Sequence, residues 1–268
     1  MQISAVKRPH DSAHTFMGTS AHMQPNEIAS ALQGIPNMDP QQGAEITSFV
    51  KTKKLSRCLE LGFAHGVGTA YLAHAVAGFE GGKVVSIDLE DARRRDPDIH
   101  RVLKMVAVPD RLVDIYFEPT SYTWRMMRFL EQGLYGSFDF IYLDGAHTWA
   151  VDGLAFYLGS LLLRPGGWIL FDDLQWSFAS SSVAGEPWVM ALPPDQREIP
   201  QVRKIWDLLV KHHADFDELI DNGNWGYAHK SLGATDRTVV IKYHPLVRSL
   251  FGVGARLIER ARRPRRGS

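Results

Sequence analysis

Between residues 57 and 171, short apolar runs alternate with segments of helical periodicity. That alternation confines the chain to an α/β fold with a parallel sheet wound on both faces. Residues 57–61, 83–88, 112–117, 138–143 and 168–171 read as strands, rich in β-branched and aromatic residues and bounded by Gly, Pro or Asp. Residues 68–77, 91–106, 122–132 and 149–163 read as the helices between them, and Pro165-Gly166-Gly167 as a turn. The rhythm then changes. Residues 175–200 read as a loop too long for a plain connection, hence a candidate substrate-side insertion. Residues 202–212 form an amphipathic helix, and 216–220, 224–229 and 238–243 read as strands closing the sheet, with antiparallel pairing among the last two. The expected architecture is a Rossmann-like, doubly wound, mostly parallel seven-stranded sheet with an antiparallel last strand.

Upstream, residues 1–40 are polar and broken by proline and glycine, which suits an arm or lid with a short helix near 26–32. Residues 41–54 read as a helix opening the main domain, which runs to residue 244. The 30 Lys/Arg and 30 Asp/Glu cancel over the whole chain. Residues 245–268 nevertheless carry seven Arg against one Glu, a basic tail that leaves residues 1–244 at −6. An acidic body without basic-aromatic interleaving argues against nucleic acid as a partner. A nucleic-acid-binding or RNA-modifying role would have to rest on the tail, for which a solvated stretch or a membrane-surface contact are the other readings. The single cysteine, Cys58, excludes an intrachain disulfide and a Cys-built zinc site. The N-terminal stretch lacks an apolar core like that of a secretion signal, and no stretch reaches the ~18 apolar residues of a membrane span. The expected location is therefore cytoplasmic.

Two segments carry candidate chemistry. The first, residues 59–69, reads Leu-Glu-Leu-Gly-Phe-Ala-His-Gly-Val-Gly-Thr where a strand turns into a helix. Glycines there permit a tight turn and close approach of a ligand, and the helix start offers free N–H donors. Tyr71 occupies the position where a dinucleotide fingerprint needs a small residue, and no Gly-Lys-Ser/Thr phosphate loop follows. Asp88, ending the next strand, can accept both ribose hydroxyls of an adenosine. Plain turn chemistry is the other reading of the glycines.

The second segment places Asp144 at the end of the fourth strand and Asp172-Asp173 at the end of the fifth. Three acids on one edge repel one another unless a cation neutralises them, and hard oxygen ligands suit Mg²⁺ or another divalent cation such as Ca²⁺. The alternative is that Asp144 caps the following helix and that the Asp pair is merely solvated. His147, three residues beyond Asp144, has an imidazole whose ordinary pKa of ~6.5 suits removal of a hydroxyl proton. Trp149, Trp176, Trp188, Trp206 and Trp225 are candidates to stack on a sugar. Trp206 suits the core better, and Trp176 and Trp188 lie closest to the acids. Tyr142 and Phe140 read as plain core.

Glu60-Leu61-Gly62-x-x-x-Gly66-x-Gly68 followed by Ser86-Ile87-Asp88 resembles the first two motifs of class I S-adenosylmethionine-dependent methyltransferases. The resemblance implies that Glu60, Gly62, Phe63, Gly66, Gly68 and Thr69 lie around the methionine part of the cofactor. It places Asp88 on the ribose, Thr120 or Ser121 near the adenine, and Asp144 at the edge of the same site. Asp144-x-x-His147 followed by Pro-Gly-Gly and Asp172-Asp173 resembles metal-dependent O-methyltransferases. The closest likeness is to bacterial sugar and macrolide-sugar enzymes of the mycinamicin and tylosin type and to the cephalosporin-hydroxylase-like group. That likeness, over roughly residues 40–175, implies Asp144, Asp172 and Asp173 as metal ligands and His147 as general base. The acceptor is then a small molecule or saccharide, in a possible homo-oligomer. Catechol or phenolic acceptors are the alternative, although the catechol enzymes use a lysine where His147 stands. A cofactor-binding module without catalysis is disfavoured by the intact acid cluster.

Overall fold

The structure, a computed structural model, describes residues 23–233. The expected strand at 238–243, the basic tail and the first part of the arm lie outside the described residues. A seven-stranded sheet runs in the order β3-β2-β1-β4-β5-β7-β6. Its strands are β1 (Arg57–Leu61), β2 (Lys83–Leu89), β3 (Val113–Glu118), β4 (Phe138–Leu143), β5 (Leu163–Phe171), β6 (Phe216–Asp221) and β7 (Gly226–Lys230). The first five pair in parallel, and β7 is antiparallel to both β5 and β6. The expected architecture is the one observed.

The strands divide their side chains between two cores by simple alternation. Cys58, Phe140, Tyr142 and Leu170 point to one face. There they meet α2 (Pro40–Lys53), α3 (Val67–Val76) and α4 (Ile99–Met105). Leu59, Leu61, Ile141 and Leu143 point to the other. There they meet α5 (Tyr122–Glu131), α6 (Trp149–Leu162) and α9 (Gln201–Ile205). Every residue of α3 is buried, because α2 and α4 cover the side that the sheet does not. This explains why its sequence is apolar all round rather than striped. Asp39 and Gln42 form a reciprocal capping box at the start of α2. Within the described part of the arm, α1 (Pro25–Ala31) packs on α2 and α3 through Ile28.

Three local expectations are corrected. The helix at 91–106 is broken around Pro97, which lacks an N–H and disfavours helix before it. A 3₁₀ turn (Glu90–Arg94) precedes the break and α4 follows it. The turn at Pro165-Gly166-Gly167 lies within β5, where pairing with β4 is irregular between Phe138 and Phe140. Residues 175–200 are not a plain loop. They contain a 3₁₀ turn (Phe178–Ser180) and two short helices, α7 (Pro187–Met190) and α8 (Pro194–Glu198), each with proline in its first turn. No helix among the described residues is long and apolar enough to cross a membrane.

Candidate active site

The parallel strands continue their hydrogen bonding just past their carboxyl ends. Gly62 donates to the Ile87 carbonyl (2.8 Å), Asp144 to Leu61 (2.9 Å) and Asp172 to Leu143 (3.0 Å). The glycine loop, Asp144 and Asp172 are thereby fixed side by side along the edge where open α/β sheets bind ligands.

Gly62 has φ +88°, and a Cβ there would fall 2.0 Å from the Asp144 carbonyl oxygen. Only glycine lets the ends of β1 and β4 approach this closely. Gly62→Ala should therefore cost about 1–3 kcal/mol by overpacking alone, with the left-handed backbone adding to it. For a domain of this size, thermal melting should fall by about 2–4 °C per kcal/mol. An unchanged melting temperature would contradict the close approach.

Under the loop, Glu60 is buried and accepts from Thr69 Oγ1 (2.5 Å) and Ser86 Oγ (2.6 Å). Burial lifts its carboxyl to about 7 against these two hydrogen bonds. Gly68 passes so near that a Cβ would lie 2.6 Å from Glu60 Oε1. Phe63 is buried edge-on against Phe117, and Gly66 is the residue at which the loop enters α3. Asp88 Oδ2 accepts from the amides of Phe63 (2.9 Å) and Ala64 (2.7 Å), so this carboxylate shapes the loop itself. Ser121 caps α5, accepting from the Thr123 amide (3.1 Å).

Beside the loop, Asp144, His147 and Asp173 each turn one ligand atom into a space where these atoms lie within 4.8 Å of one another. His147 Nε2 stands 3.6 Å from Asp173 Oδ2 and 4.0 Å from Asp144 Oδ1, wider than hydrogen bonds. Burial pushes the imidazole down to about 4, with the Asp172 charge pulling the other way, so His147 is neutral at pH 7. Its Nδ1 is buried without a hydrogen-bond partner. Burial, then Asp172 and Asp173, raise Asp144 well above the usual carboxylate range. Burial also raises Asp173.

Asp172 lies one layer deeper. Its Oδ2 accepts from the Tyr142 hydroxyl (2.5 Å) and its Oδ1 from Trp225 Nε1 (2.6 Å). Burial and the neighbouring Asp173 lift it to about 6. Tyr142 is thus not plain core, and its oxygen also lies 3.2 Å from Asp144 Oδ2. Trp225 is buried beneath the site rather than offered to a ligand. Because β7 runs antiparallel to β5, the residue before Gly226 lands at the end of β5 beside Asp172. Nothing in the local sequence signals either role. Trp206 is buried in the core, as expected, and Trp176 packs on the His147 ring.

The loop carrying His147 rests on a second buried pair. The Tyr122 hydroxyl donates to Asp152 and accepts from the Ala146 amide (3.1 Å). The amides of Ala146, His147 and Thr148 partly offset the burial that lifts Asp152 to about 6. His147 sits at φ +54°, a left-handed backbone uncommon outside glycine, though histidine adopts it more readily than most residues. The helix that follows is capped by Thr148, not Asp144, which frees Asp144 for the site. Tyr122→Phe removes the donor to Asp152 and should cost about 1–3 kcal/mol. Faster amide exchange confined to residues 145–148 would check it, and unchanged exchange there would refute the support.

Residues 59–174 match the sequence family described as Methyltransferase domain. No curated protein sequence matches the chain. Among solved structures, the O-methyltransferase TomG from Streptomyces achromogenes, involved in tomaymycin synthesis and in complex with SAM, aligns with TM-score 0.56 and 18% identity. The alignment covers 77% of this chain and 89% of that one. An O-methyltransferase from Bacillus cereus in complex with SAH aligns with TM-score 0.55 and 17% identity, over 81% of this chain and 94% of that one. An SAH-bound methyltransferase from Podospora anserina gives 0.54 and 17%, over 77% and 87%. At such identities the likeness establishes the fold. Residues 59–174 thus match a methyltransferase-domain family model, and they lie within the Rossmann-like fold that these solved structures share.

Proposed function

We propose that the protein is an S-adenosylmethionine- and Mg²⁺-dependent O-methyltransferase that acts on a hydroxyl of a sugar, saccharide or glycosylated metabolite. The observation that carries this reading is the convergence of Asp144, Asp173 and a neutral His147 beside the glycine loop. Support for methyl transfer comes from the family match and from neighbours whose structures contain SAM or SAH.

The donor set fits a hard divalent cation. Carboxylates crowded and buried without a counter-charge hold their protons unusually tightly, which a cation would relieve. Asp144 and Asp173 would hold it, and Asp172 could join only through Oδ2, which Tyr142 alone occupies, because Oδ1 already accepts from Trp225, the Asp173 amide and Asn224. When bound, such an ion orients hydroxyl oxygens and makes them more acidic. The remaining work belongs to the chain. His147 Nε2, neutral and facing Asp144 and Asp173, accepts the hydroxyl proton. The backbone of the glycine loop and the start of α3 receive the methionine part of the cofactor, and Asp88 its ribose. Ser121 stands on the adenine side. The methyl donor is already activated, so alignment of the hydroxyl oxygen with the sulfonium methyl supplies much of the rate.

The test is incubation of the full chain with S-adenosylmethionine and Mg²⁺ against matched panels of saccharides, glycosides and catechols, with methylated product read by mass spectrometry. Methyl ethers of saccharides, abolished by EDTA and restored by Mg²⁺, are expected. Catechol ethers alone would overturn the acceptor class, and indifference to EDTA would overturn the metal.

A further inference from the structure

Aromatic contacts run outward from His147 through the segment that follows β5. The Trp176 ring lies 4.6 Å from the His147 ring, at an interplanar angle of 47°. Phe178 meets Trp176 edge-on at 4.8 Å, and Trp188 meets Phe178 edge-on at 5.3 Å. Trp176 is tied to the acid cluster by its own amide, which donates to the Asp173 carbonyl (3.0 Å). Phe178 is only 3% exposed, whereas Trp188 is 53% and Met190 58% exposed. Val189 is fully buried, so α7 is anchored inward while Trp188 stays half open to water. Trp188 is thus the exposed outer end of a run of ring contacts that begins at His147. Phe178 acts as the buried spacer that fixes the distance between the two tryptophans.

We propose that Trp176 and Trp188 are two consecutive ring-binding subsites of the acceptor, so that the preferred acceptor is a glycoside at least two rings long rather than a free monosaccharide. Trp176 stacks on the ring whose hydroxyl meets His147, and Trp188 on the next ring or apolar aglycone. Tryptophan suits both places, offering a broad rigid face to the C–H side of a pyranose or to an aromatic ring. The proposal rests on the methyl-transfer reading for the direction of the acceptor hydroxyl, but the platform itself can be tested by binding.

Methyl glycosides and 4-nitrophenyl glycosides of the same sugars provide matched one-ring and two-ring probes. Trp188→Ala is expected to raise KM for the 4-nitrophenyl glycoside about ten-fold, leaving its kcat and the methyl glycoside unchanged. Trp176→Ala is expected to raise KM for both. Equal effects of Trp188→Ala on the two probes, or none, would overturn the proposal. Calorimetric titration of the same probes into the SAH-loaded protein separates the two ideas. Tighter binding of the nitrophenyl glycoside that Trp188→Ala abolishes, without any methylated product, would uphold the platform and sink the methyl-transfer reading. No binding of either probe across the panel would sink the platform. Trp188 is exposed, so its alanine variant should melt as the parent does.

Discussion

His147→Ala should lower turnover by about 10²–10⁴-fold, the range that a positioned general base contributes, while cofactor affinity stays as it was. The imidazole touches Trp176 and faces Asp144 and Asp173, whereas the glycine loop is held by Asp88 and, beneath it, by Glu60. Single-turnover rates combined with SAH titration separate the two quantities. Equal losses in rate and in cofactor binding would mean that His147 shapes the cofactor pocket instead of moving a proton. Because burial places its pKa near 4 rather than near 6.5, the acid limb of its titration should lie well below pH 6.

A second large effect concerns stability. Glu60 titrates at about 7, and Asp152 and Asp172 at about 6, while Asp144 and Asp173 are also raised. In the unfolded chain these carboxyls release their protons near pH 4. Between roughly pH 4 and 7 the folded state therefore binds more protons than the unfolded one, and stability falls as pH rises through that window. His147, depressed to about 4, works oppositely between pH 4 and 6.5, but it is one proton against several. Metal-free protein should thus melt higher at pH 5.5 than at pH 8, by an amount on the order of 5–10 °C. Mg²⁺ should raise melting more at pH 8 than at pH 5.5, because protons compete for the same carboxylates. Calorimetric scans with EDTA or Mg²⁺ at both pH values check this. A Mg²⁺ effect independent of pH would mean that the ion binds elsewhere.

Strands β1 to β4 were legible within about a residue at each end, because buried parallel strands leave uninterrupted apolar runs. The placing of Asp144, His147 and Asp173 on one edge was legible as well, since strand ends on a parallel sheet must share an edge, whereas the deeper position of Asp172 was not. What stayed hidden depends on pairings distant in sequence. Trp225 meets Asp172 only because β7 reverses direction against β5, and Tyr142 looks like core until its hydroxyl is seen between two carboxylates. Tyr122 and Asp152 are thirty residues apart on separate helices, and no periodicity links them. The break at Pro97, in contrast, was written in the sequence and outweighed by the charged periodicity around it.

The backbone hydrogen bonds from Gly62 to Ile87, Asp144 to Leu61 and Asp172 to Leu143 make the candidate ligand edge a property of the sheet. The segment bearing Trp176 and Trp188 instead joins that edge through the hydrogen bonds of Trp176 to Asp173 and Leu174 to Asn224, and packs inward through Phe178 and Val189. On the proposed function, exchanging residues 177–198 is expected to change acceptor choice more than the alignment of the strand-end residues.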